Sequence, residues 1–181
     1  MSDARGDYRV TAKILHWISA LAILATIPAG LIMVRPGIGR ALQDTLFVFH
    51  KNIGVIILLL ILARLVYRAF NPAPPLPASV PTWQARIASV SHWALYAMVL
   101  VMAVTGYVRV TTGGFPLEGL DALGFPRFLP RSDEIAETAK AIHATVRIPL
   151  TLLIIVHIGA ALHHAVVRRD GVFNRMWFGR A

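Results

Sequence analysis

The chain has 181 residues, 56% hydrophobic and only 15% charged, a balance too apolar for an ordinary soluble domain. It contains no cysteine, which excludes disulfides, cysteine-held iron–sulfur clusters, thiolate zinc sites and covalent c-type haem attachment. The net charge of +9 does not indicate nucleic-acid binding, because the basic residues flank apolar runs as they do in membrane proteins.

Residues 1–13 are polar and basic, and residues 14–34 form the first apolar run, with His16 at its start and Pro28-Ala29-Gly30 near its end. A signal peptide cleaved near Ala29 is the alternative, but its apolar region would be about 7 to 15 residues, shorter than this one. Arg35-Pro36-Gly37 ends the helix. The second span covers residues 46–70. His50 lies near its start and Gly54 one turn on, along the same face. A glycine there suits either the approach of a flat ring or ordinary tight helix packing. Arg64 and Arg68 mark the far end, with headgroup contact as the default role and haem propionates as the alternative.

Residues 71–81 form a proline-rich, extended connector. Residues 83–89, led by Trp83, suit the membrane interface. The third span covers residues 88–110, with His92 in its first turns and Arg109 at its end. Residues 113–130 read as a loop with three prolines. Ser132-Asp133-Glu134 then reads as a capped helix start. The fourth span, within residues 141–169, carries His143, His157, His163 and His164, and Pro149 should distort it. A short basic tail, residues 170–181, follows. The whole chain, residues 1–181, reads as one four-span, all-α integral membrane bundle.

Four spans put both termini on one side. That side carries ten basic and three acidic residues against eight and six on the other, so both termini are expected in the cytoplasm. Orientation converts position into depth. His143 and His157 are 14 positions apart on one helix, hence on nearly the same face and about 21 Å apart along the axis. His50 matches His143 near the periplasmic surface, and His16 matches His157 near the cytoplasmic one. A lone membrane histidine commonly makes an interhelical hydrogen bond or a headgroup contact. Two depth-matched pairs instead suggest two buried metal centres, and neutral imidazole is a good axial ligand for haem iron. His164 shares the face of His157, but pairing it with His143 would separate the levels by about 31 Å, the full hydrocarbon thickness. His163 points elsewhere and reads as interfacial. His92 has the depth to replace His16 or His157, or to bond a quinone or a propionate.

His16-Trp17 in the first span, His50 with Gly54 in the second, and His143 paired with His157 before Ala161-Leu162-His163-His164 resemble the bacterial cytochrome b561 family. The resemblance covers nearly the whole chain. It implies a four-helix membrane bundle holding two b-type haems, with ligands from the first, second and fourth helices. Its members include superoxide:ubiquinone oxidoreductases and the cytochrome b subunits of nickel–iron hydrogenases and formate dehydrogenases. The chain length resembles the stand-alone type, which implies superoxide as donor and ubiquinone as acceptor, with Lys51, Arg109 and Arg147 as candidate attractors of the anion. A subunit fed by a partner dehydrogenase is the alternative. A non-haem histidine-lined metal or proton carrier belongs to a different class.

Overall fold

The structure, a computed structural model, describes residues 7–77 and 79–178. Asp3, Arg5 and Arg180, which enter the charge count, lie outside the described residues. Among the described residues all regular structure is helical, with four helices long and apolar enough to cross a membrane. These are α1 (Val10–Ile32), α2 (Arg40–Phe70), α3 (Thr82–Thr112) and, after the short α4 (Glu118–Ala122), α5 (Asp133–Leu162).

The spans are longer than the apolar runs that announce them. α2 and α3 each have 31 residues, about 46 Å at 1.5 Å per residue, against about 30 Å of hydrocarbon. Their ends therefore extend past the hydrocarbon. Residues 83–89, read as suited to the interface, are the opening turns of α3, so the third helix begins earlier than residue 88. The segment 113–130 is likewise not all loop, since α4 interrupts it. Ser132 caps α5 as expected, its side chain accepting from the Ile135 N–H. The Ser132 N–H also bonds the Thr112 carbonyl at 2.9 Å, tying the start of α5 to the end of α3. α5 runs on through Pro149 as α-helix and then widens into a π-helix, His163–Arg168. Arg169, at φ 48°, ends it in the left-handed region.

The backbone packing is uneven. α1 packs on α2, α2 on α3 and α3 on α5, whereas among the described residues α5 does not pack closely on α1 or α2. The buried core is correspondingly small. Ile57, Ile61, Val99, Ala103 and Leu150 form it, with Ala22 and Ile23 of α1 against them. Large apolar side chains such as Leu59 and Val156 lie exposed on the outer faces, as helices dissolved in lipid require. Leu150 is seven residues from both His143 and His157, so the core fills the level midway between them.

The described ends of the chain meet at one end of the bundle. The Trp17 indole donates to the Met176 carbonyl at 2.7 Å, and Lys13 to the Trp177 carbonyl at 3.0 Å. Arg175 donates to the carbonyls of Pro74 and Pro75, fastening the tail to the α2–α3 connector.

Candidate functional site

At one level, His50 of α2 faces His143 of α5 with ring centroids 6.2 Å apart. Each ring is held from behind. His50 Nδ1 lies 3.2 Å from the Thr26 carbonyl of α1, and His143 Nδ1 lies 2.9 Å from the Met102 carbonyl of α3. A carbonyl can only accept, so both Nδ1 atoms carry the proton and both Nε2 atoms keep a lone pair. Metal-binding histidines are typically oriented this way.

The second level pairs His16 of α1 with His157 of α5, ring centroids 6.3 Å apart. An imidazole nitrogen sits about 2 Å from a first-row metal, with the ring centroid about 1.1 Å behind it, so two opposed axial rings have centroids about 6.3 Å apart. Both pairs fit that span. Both also bridge helices that lack close backbone packing, α2 with α5 and α1 with α5. Among the described residues no group of three or more His, Cys, Asp or Glu is placed to hold a metal ion. Two imidazoles alone leave an iron four equatorial positions, which a porphyrin fills.

Gly54 decides between its two readings. A Cβ there would meet no heavy atom within 4 Å, so tight helix packing is not its role. The same holds at Gly159, two residues beyond His157. Both positions have the open face that a flat macrocycle needs. Two other glycines also matter: Gly30, noted in the sequence only as part of Pro28-Ala29-Gly30, and Gly106, which no motif singles out. Each lies against a histidine ring, Gly30 against His50 and Gly106 against His143.

His92 lies beside the second pair, its ring centroid 5.4 Å from that of His157. That is too short for two rings opposed across one iron. Arg64 corrects its default of headgroup contact. Its guanidinium points inward, with Nη2 3.1 Å from His16 Nδ1 and Cζ 5.2 Å above the Tyr96 ring. Arg68 lies over Trp93 at 5.9 Å. His164 is engaged elsewhere, with Nδ1 2.7 Å from Asp170 Oδ2, and the exposed His163 sits next to it. Burial raises the Asp170 carboxyl, but the hydrogen bonds from His164 and the Val172 N–H outweigh it, and the net shift is downward.

At the opposite end from the tail, α4 is latched to α2 beside His50. Lys51 Nζ contacts Glu118 Oε1 at 2.6 Å and the Pro116 carbonyl at 2.7 Å. The Asn52 amide donates to Glu118 at 2.9 Å, and its oxygen accepts from the Gly119 N–H at 2.8 Å. Burial of Glu118 works to raise its pKa, but the bonds from Lys51 and Asn52 prevail and hold it below the ordinary value. Lys51 is therefore a neutralised cation, not the free attractor expected. Arg147 is exposed and Arg109 half-buried, both within electrostatic range of His143.

Four apolar helices with imidazole pairs at two levels of the bundle fit one class, the membrane cytochromes of the b type. The family profile described as prokaryotic cytochrome b561 matches residues 7–179, and the chain belongs to that family. It is 28% identical over 171 residues to cytochrome b561 homolog 2 of Escherichia coli, covering 93% of this chain and 90% of the relative. It is 29% identical to cytochrome b561 homolog 1 of the same organism, covering 90% and 92%. A probable superoxide oxidase of Yersinia pestis is 25% identical, covering 90% of each chain. The protein is thus a multi-pass bacterial inner-membrane electron-transfer protein of an oxidoreductase-type family whose members bind haem b.

Proposed function

We propose that this chain is a di-haem b superoxide:ubiquinone oxidoreductase, folded as a single four-span unit with both termini in the cytoplasm. His50 and His143 would hold the haem near the periplasmic surface, and His16 and His157 the haem near the cytoplasmic surface. The observation that carries this reading is the pair of ring spacings, 6.2 and 6.3 Å, at two levels of one bundle. Haem b, when bound, would supply reversible one-electron chemistry.

The chain's own residues do the rest. The Ile57, Ile61 and Leu150 cluster keeps the space between the levels dry and of low dielectric. Arg109 and Arg147 supply positive potential at the end where the superoxide anion would arrive. Arg64 is the cation placed to meet a propionate; as the chain stands it donates to His16 Nδ1, because a guanidinium cannot accept, so His16 would have to give up that bond and take the Nδ1–H tautomer before its Nε2 could hold a haem. The reaction balances with two superoxide anions giving two dioxygen molecules, while one ubiquinone takes two electrons and two protons to become ubiquinol. The name of the Yersinia relative and coverage of nearly its whole length support the donor assignment.

Stopped-flow mixing of the purified holoprotein with superoxide, with and without ubiquinone, tests the reading. Rapid haem reduction, followed by reoxidation only when quinone is present, is expected. Reduction by dithionite but not by superoxide would remove the superoxide assignment and favour a carrier fed by a dehydrogenase. An absorption spectrum without haem bands would overturn the haem reading altogether.

A further inference from the structure

Gly30 and Gly106 occupy equivalent places on two different helices. Gly30 follows Thr26 by four residues on α1, and Gly106 follows Met102 by four on α3. In an α-helix a side chain leans toward the N-terminus and covers the turn before its own Cα. The side chain at i+4 therefore shields the carbonyl at i. That carbonyl has two lone pairs, one used by the helix and one available to a neighbour. Here the neighbour is the imidazole of the facing helix, joined at Met102 by the Thr105 hydroxyl, which lies 3.2 Å from that carbonyl and 3.2 Å from His143 Nδ1. A Cβ at Gly30 would stand 2.7 Å from His50 Cε1 and 3.0 Å from its Nδ1. At Gly106 it would stand 3.3 Å from His143 Cε1 and 3.5 Å from its Nδ1.

We propose that Gly30 and Gly106 are positioning residues that uncover the Thr26 and Met102 carbonyls, so that His50 and His143 dock Nδ1-first and present Nε2 to one haem. The device occurs twice at one level. Among the described residues it has no counterpart at the other, where His16 Nδ1 meets the Arg64 guanidinium. A histidine that donates Nδ1–H to a carbonyl is a more basic ligand and favours ferric iron. The two glycines thus hold down the potential of one haem and leave the other alone. The proposal rests on His50 and His143 being the ligands of one haem, and its test separates the two.

The test is electron paramagnetic resonance and a spectroelectrochemical titration of the holoproteins Gly30→Ala, Gly106→Ala and His50→Ala. His50→Ala is expected to lose one haem. In both glycine variants that same haem should change its g values and rise in midpoint potential, while the other keeps its wild-type values. Gly30→Ala should have the larger effect, since a Cβ at 3.3 Å needs only a small shift of the ring and one at 2.7 Å needs more. Loss of that haem alone, with the other intact, would equally support the proposal. Wild-type g values and potentials in both glycine variants would overturn the proposal and leave the ligand assignment standing. Two intact haems in His50→Ala would overturn both. Equal disturbance or loss of both haems in the glycine variants would mean general loosening of the bundle and would also overturn it.

Discussion

The Met102 carbonyl and His143 Nδ1, 41 residues apart in the chain, lie 2.9 Å from one another across the α3–α5 contact. α3 supplies neither ring of the His50–His143 pair, and its His92 only lies beside the His16–His157 pair, yet it orients His143. α5 packs closely on α3 but, among the described residues, not on α1 or α2. A haem held between α5 and α1 or α2 would be gripped by two helices and aimed by the others.

If His143 and His157 serve different haems, their variants must differ in which spectrum they lose. His143→Ala and His50→Ala should each remove or disturb one haem, and His157→Ala and His16→Ala the other. The double variant His50→Ala/His143→Ala should lose little beyond either single, because residues sharing one site are non-additive. Combining His143→Ala with His157→Ala should affect both centres. Haem quantification of the purified variants checks this, and a His92→Ala variant that loses a haem while His16→Ala keeps both would transfer a ligand role to α3.

His164→Ala should leave both haem spectra intact, since the ring is committed to Asp170 at 2.7 Å. Its cost should fall on the tail. Limited proteolysis near residues 170–178 should speed up, while the haem-to-protein ratio stays at its wild-type value.

The charge at the α4 end should tune the rate of reduction by superoxide. Arg109→Gln/Arg147→Gln should slow it by about tenfold at low salt, within the range of electrostatic steering, and the difference should shrink as salt rises. Lys51→Gln should have a smaller effect, because Glu118 already neutralises that ammonium. Glu118→Gln should accelerate the reaction by uncovering it. Stopped-flow rates across a salt series decide, and a slower Glu118→Gln would contradict the steering account.

The α4 latch should be acid-sensitive. Glu118 has a depressed pKa in the folded chain, so the stability it confers is fully present above its ordinary value of 4.5 and disappears as pH falls through the lower folded value. The ion pair is partly exposed and worth about 0.5–1 kcal/mol. The hydrogen-exchange protection factors of residues 113–130, taken relative to the intrinsic rate at each pH, should fall on acidification in the wild type. In Glu118→Gln they should already be lower at neutral pH and change little below it.

Much of this arrangement is legible in the chain itself. Apolar run length against bilayer thickness fixes four spans, and 3.6-residue periodicity places His143 and His157 on one face of one of them, about 21 Å apart. Alternating span direction then matches His50 to His143 and His16 to His157 in depth, and the structure brings those rings within 6.2 and 6.3 Å. Other features depend on which helix neighbours which, and periodicity within a single helix carries no such information. Arg64 reads as a headgroup anchor until Tyr96 and His16 are seen to surround it. Lys51 reads as a free cation until α4, inside an apparent loop, brings Glu118 against it. Gly54 reads equally well as packing or clearance until the space around it is known. Gly30 and Gly106 gain meaning only when α1 meets α2 and α3 meets α5, because a missing side chain matters through what approaches it, and the approaching group lies on another helix.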